Sequence, residues 1–87
     1  MQITITDEVQ SLHRPGAKLL LMQNTGAKTL YYGYESTTVA AAGANQGVPL
    51  LAGQQLSANG RDSGLNGNLR LVCASGESTT VNYTFAD

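Results

Sequence analysis

The stretch Lys18-Leu19-Leu20-Leu21-Met22-Gln23-Asn24, Thr25-Gly26-Ala27-Lys28, Thr29-Leu30-Tyr31-Tyr32-Gly33-Tyr34 decides the fold class. Its first part is apolar without alternation, which fits a strand covered on both faces, either inside one domain or at a subunit contact. Its last part is rich in Tyr, a residue suited to the pleated surface of a sheet. The four residues between them have the length of a hairpin loop, with Gly26 free to turn. The spacing predicts a β-hairpin over residues 18–34.

The rest of the chain reads the same way. In Met1 to Thr6, Ile3 and Ile5 share one face and Gln2, Thr4 and Thr6 the other, as the two-residue period of a strand requires. Arg14-Pro15-Gly16-Ala17 is a turn, because Pro presets one φ angle and Gly supplies a positive one. Thr37 to Ala42 is open to either reading, since Thr-Thr-Val favours a strand and the alanines a helical turn. Val48-Pro49-Leu50-Leu51 reads as an edge segment, because Pro49 has no N–H to give a ladder. Gln54 to Ala58 is a short strand. Asn59 to Asn68 is an exposed loop, dense in turn dipeptides. Leu69 to Ala74 and Thr79 to Phe85 are two closing strands around Ser75-Gly76-Glu77-Ser78. In the second of these, Val81, Tyr83 and Phe85 share a face opposite Thr80, Asn82 and Thr84.

Composition supports an all-β chain. Ser, Thr, Asn, Gln and Gly make up 37 of the 87 residues. This mixture disfavours helices, since Gly costs a helix interior about 1 kcal/mol relative to Ala and the small polar side chains compete for backbone hydrogen bonds. Seven or eight short strands in one domain over residues 1–87 form a small sandwich or barrel. Jelly roll, immunoglobulin-like sandwich and small barrel all satisfy the pattern.

The same composition narrows the function classes. Five Lys and Arg balance six Asp and Glu, and Arg14, Lys18, Lys28, Arg61 and Arg70 are scattered, so no basic stripe exists to neutralise a nucleic acid. The apolar run Leu19 to Met22 is far shorter than the roughly 20 residues needed to span a bilayer, so no membrane association is expected. The alternating start of the chain suits a strand and not a signal peptide. Cys73 is the single cysteine and has no partner for an internal disulfide. A chain this short has a marginal core of its own, so oligomerisation or docking is the expected source of further stability.

No residue pattern calls for chemistry. His13 stands in a Pro/Gly loop without a second metal-ligand type beyond Asp7 and Glu8, and reads as a surface histidine. Cys73 lies within an apolar strand, where a thiol behaves as a small hydrophobe. Gly43-Ala44-Asn45-Gln46-Gly47 lacks the Lys-Ser/Thr ending of a phosphate loop and leads to Pro49 instead of a helix. No catalytic residue, cofactor or metal is expected. The tyrosines Tyr31, Tyr32 and Tyr34 are the most informative cluster, since Tyr serves core, protein interface and sugar platform alike.

The order of four segments resembles that of small structural proteins of tailed bacteriophages. These are Leu20-Leu21-Met22-Gln23-Asn24-Thr25-Gly26, Leu30-Tyr31-Tyr32-Gly33-Tyr34, Gly47-Val48-Pro49-Leu50-Leu51-Ala52-Gly53-Gln54-Gln55-Leu56, and Leu69-Arg70-Leu71-Val72-Cys73-Ala74-Ser75-Gly76, the last opening a final hairpin. The resemblance covers about residues 18 to 85. It implies a jelly-roll-like β-sandwich without enzymatic activity: a decoration or cement protein on the outer surface of the virion head, trimeric, clamping subunits of the major capsid protein. The family's last strand often carries a Val-Arg-Val-like stretch, where this chain has Val81-Asn82-Tyr83-Thr84-Phe85.

The expected partner-binding residues are Met1, Gln2, Ile3, Thr4 and Ile5, together with Tyr31, Tyr34, Pro49 and Leu50. Met1 to Thr6 forms a strand-like N-terminal arm, long enough at about 3.3 Å per residue to reach about 20 Å and pair with a capsid edge or a sister subunit. The alternative is a receptor- or glycan-binding module of a tail or fibre, with Tyr31 or Tyr34 as the platform. The absence of Trp and of any shaft-like repeat stands against it.

Overall fold

The computed structural model describes residues 1–12, 19–34, 40–43, 46–59 and 69–86. They form eight strands: β1 (Gln2–Ile5), β2 (Gln10–Leu12), β3 (Leu19–Asn24), β4 (Leu30–Tyr34), β5 (Val48–Leu50), β6 (Gln55–Asn59), β7 (Leu69–Cys73) and β8 (Thr79–Ala86). Two four-stranded sheets face each other, in the orders β1-β8-β3-β6 and β2-β7-β4-β5, and every named pairing is antiparallel. This interleaving is the jelly-roll arrangement. The core lies between the sheets, with Ile5, Leu20 and Val81 from the first meeting Leu30, Leu69 and Leu71 from the second, all 2% exposed or less.

Three expectations are corrected. The segment 18–34 is not a hairpin, because β3 pairs with β6 and β8 while β4 pairs with β5 and β7. The closing strands also part company, β7 to one sheet and β8 to the other. The connections after β3 and β7 therefore arch across the sandwich, leaving β4 and β5 as the one consecutive pair within a sheet. Finally, β3 is covered by this chain on one face alone: Leu20 and Met22 are buried, while Leu21 between them is 45% exposed.

Other expectations land close to their places. The edge segment with Pro49 is β5, at the end of its sheet. Met1 to Thr6 contributes β1, held against β8 as an edge strand of its own sandwich. Strand β2 was not anticipated, because three residues with one buried apolar side chain, Leu12, carry too little periodicity. Of Thr37 to Ala42, Ala40 makes an isolated parallel bridge to Gln46, and 35–39 lie outside the described residues. His13 and the turn over 14–17 also lie outside them, as does the loop expected over 59–68 apart from Asn59, which ends β6 in register with Leu19.

The first arch is locked by Asn24, which is wholly buried at the end of β3. Its Nδ2 donates to the carbonyl oxygens of Lys28 at 2.8 Å and Leu50 at 2.9 Å. Its Oδ1 accepts from the Gly26 amide at 3.2 Å and the Thr79 hydroxyl at 2.7 Å. The side-chain amide thus satisfies both N–H donors and both acceptor positions while joining strands of the two sheets. The turn lies so close to β8 that a Cβ on Gly26 would stand 2.6 Å from the Thr80 nitrogen and collide with the Thr79 hydroxyl. Glycine is required there by close approach, whereas Gly53 is favoured for its φ of 84°.

Asn24→Ala should lower unfolding stability by about 3 kcal/mol in a denaturant titration, because Thr79 and the two carbonyls lose their partner. Asn24→Asp should cost more, since it removes both donors and buries a carboxylate. Gly26→Ala should cost about 2 kcal/mol or more and exceed Gly53→Ala at about 1 kcal/mol, reversing the order expected from φ alone.

Cys73 is 2% exposed, and its thiol donates to the Ile5 carbonyl at 3.5 Å. Burial pushes its pKa up, and the Glu77 and Asp7 carboxylates push the same way, against the lowering effect of a backbone hydrogen bond from Thr79. A folded-state pKa above the unfolded one stabilises the fold below the ordinary thiol range, near about 8.5, and that contribution fades as pH rises from there through the raised value. Labelling by an aromatic disulfide reagent should be negligible at neutral pH and should appear in step with unfolding. Fast labelling of the folded protein would contradict the burial.

Candidate functional site

With the inner faces consumed by the core, the outer faces of the two sheets remain, and they differ in chemistry. On the second sheet, strand alternation turns Ser11, Arg70, Val72, Tyr31, Gly33 and Pro49 outward, opposite Leu12, Leu71, Leu30 and Leu50. Register sets Val72, Tyr31 and Pro49 side by side across three strands. Val72 is 4% exposed and stands outside the core cluster. Leu51, just past β5, is half exposed, and Val48, in register with the inward-turned Tyr32, is exposed at the rim of the sandwich.

Arg70 lies one row away, flanked by Ser11 on β2 and Gly33 on β4. Gly33 has no side chain to fill the space beside it. The Arg70 Nε is buried without a hydrogen-bond partner. A buried guanidinium N–H left unpaired is costly, and a carboxylate or carbonyl brought by a partner would relieve that cost. Arg and Tyr in a desolvated setting are also the residue types that dominate binding energy at protein interfaces.

The outer face of the first sheet is polar, and among the described residues it carries no charged side chain. Register aligns four amides across all its strands: Gln2 on β1, Asn82 on β8, Gln23 on β3 and Gln55 on β6. A second row joins Thr84, Leu21 and Ser57, and Thr4 faces Thr80. Between these rows runs an open groove of about 550 Å3, with Met1 at one end.

The expected partner-binding residues divide between the two faces and the core. Met1 extends the β1 ladder, its amino group donating to the Tyr83 carbonyl and its carbonyl accepting from the Tyr83 amide, both at 2.8 Å. Gln2 and Thr4 face outward on the first sheet, Ile3 is half-buried toward the core, and Ile5 is wholly buried. Tyr31 and Pro49 are brought together on the other face, while Leu50 is buried at 4%. The Tyr34 backbone ends β4, opposite Leu69. Tyr32 turns inward against the core.

Sequence reasoning missed Arg70, Val72 and the amide row. Alternation within Thr79 to Phe85 already placed Asn82 away from Val81, but a row needs the neighbours of β8, and those come from distant parts of the chain. Among the described residues no group of three His, Cys, Asp or Glu side chains is placed to hold a metal ion. Searches of protein-family models, curated proteins and solved structures return no match to this chain.

Proposed function

We propose that this chain is a non-enzymatic structural protein of a virion: a decoration or cement module that docks on the outer surface of a phage head. Its partner is the major capsid protein, whose neighbouring subunits it clamps, and its working form is a trimer. The reading begins from the order of the β-segments in the sequence. The observation that carries it furthest is Arg70, unpaired at Nε beside the row Val72, Tyr31 and Pro49 on the outer face of the second sheet. That face combines an apolar patch with a cation awaiting a partner, the composition of an interface centre. A domain whose own core is small gains stability from any partner that binds only the folded form.

Cementing of this kind is mechanical. A copy seated across two capsid subunits must lose contacts with one before the other can move, and no covalent step is involved. Mass by light scattering on the purified protein should give a trimer, and co-sedimentation with heads assembled without it should give a fixed binding ratio. Arg70→Gln and Tyr31→Ala should each lower the affinity for heads by about tenfold or more; Arg70→Gln should leave the unfolding free energy of the free protein within about 0.5 kcal/mol of the parent, and loss of the half-buried Tyr31 side chain should cost about 1 kcal/mol without preventing folding. A monomer that ignores heads would overturn the proposal, as would parental head binding by the double variant.

A further inference from the structure

The groove on the outer face of the first sheet calls for a ligand of a different kind. We infer that it binds an uncharged oligosaccharide laid across the strands, against Gln55, Gln23 and Asn82, with Leu21 beneath one ring. The volume, about 550 Å3, falls in the range of small-molecule sites and suits a few sugar units.

Each lining group bears on the class of ligand. Among the described residues no charged side chain lines the groove, and the Met1 ammonium at its end is engaged with the Tyr83 carbonyl, so a phosphate, carboxylate or ammonium ligand finds no counter-charge along the amide row. A side-chain amide carries both a donor and an acceptor, as does each sugar hydroxyl, so the two match in either direction. Gln23 spends one N–H on the Gly53 carbonyl at 3.3 Å, which holds that amide in place. Ser57 and Thr84 add hydroxyls on the adjoining row. Leu21, 45% exposed at the centre, offers an apolar surface to the C–H face of a ring.

Spacing supports the direction. Adjacent strands stand about 4.8 Å apart, so the amide row repeats at roughly the length of one hexose unit and presents one amide per sugar. The row continues to Gln2 on β1, outside the lining of the groove, so the site proper presents three amides. A second copy of the chain is a poorer fit, because a self-complementary contact needs the same surface to fill its own hollow and stable dimers bury an apolar centre that one leucine does not supply. Tyr31 and Arg70 belong to the other sheet, so this site operates independently of the head-binding face.

The test is an NMR titration of isotope-labelled protein with cellotetraose, maltotetraose and chitotetraose, reading the side-chain amide signals of Gln23, Gln55 and Asn82. At least one of the three sugars should shift these signals with a dissociation constant on the order of 1 mM, typical of shallow polar sites. Binding should be insensitive to salt, should fall about tenfold or more in the Gln55→Ala, Asn82→Ala double variant, and should persist in Arg70→Gln and Tyr31→Ala. Unchanged amide signals with all three sugars would overturn the inference. So would shifts that centre on Tyr31, or shifts that follow protein concentration without sugar and so report a second copy. Head binding lost in Arg70→Gln while the sugar still binds would separate the fate of this inference from that of the cement reading.

Discussion

The amide of Asn24 is the constraint on which the rest of this sandwich depends. It sits, wholly buried, where β3 must leave its sheet and the chain cross to the other, a place where backbone carbonyls turn inward. Four hydrogen bonds from one side chain answer the arch backbone, β5 and β8 together. Gly26 allows β8 to come close enough for the Thr79 hydroxyl to reach that amide. Because a buried polar group is cheap only when fully satisfied, the arch has one good geometry. That geometry sends β4 to the opposite sheet, leaving both flanks of β3 open for β6 and β8.

Once the sheets are interleaved, alternation along each strand assigns every side chain to the core or to one of two outer faces. Pairing partners then decide the chemistry of each face. On the second sheet, β7 lies between β2 and β4, so Val72 meets Tyr31 and Arg70 meets Gly33. The first sheet collects Gln2, Asn82, Gln23 and Gln55 from four distant parts of the chain into one row. One face carries an apolar row beside an arginine whose Nε is buried without a partner; the described side chains of the other are uncharged and mostly hydrogen-bonding. A domain built this way can hold a protein surface with one face while offering the other outward.

The edges are treated differently as well. Pro49 in β5 withholds an N–H from the open side of its sheet, which discourages further strand addition there. Strand β1 is the edge of the other sheet and is tied to β8 even at Met1, whose amino group and carbonyl both bond to Tyr83. Addition of a partner strand beside β1 would thus use its outer edge, with Ile3 and Ile5 already committed to the core.

Much of the strand content was legible in the amino-acid sequence, because a strand is a local object. Alternating Ile3 and Ile5, the turn-rich composition and Pro49 each act over a few residues, and the segments they predict are strands here. Strand β2 escaped because three residues cannot display a period. The hairpins were misread because a short loop with glycine serves a hairpin and an arch equally well. What separates them is whether Asn24 finds Leu50 and Thr79, residues 26 and 55 positions away. Arg70 and the amide row stayed hidden for the same reason, since their neighbours are set by register between strands far apart in the chain. Composition and two-residue periodicity act locally, and from them alone the chain reads as a small all-β domain rich in uncharged polar side chains. Which strands lie side by side, and hence which faces the domain presents, emerges with the folded arrangement, because that choice rests on satisfying buried polar groups over long range.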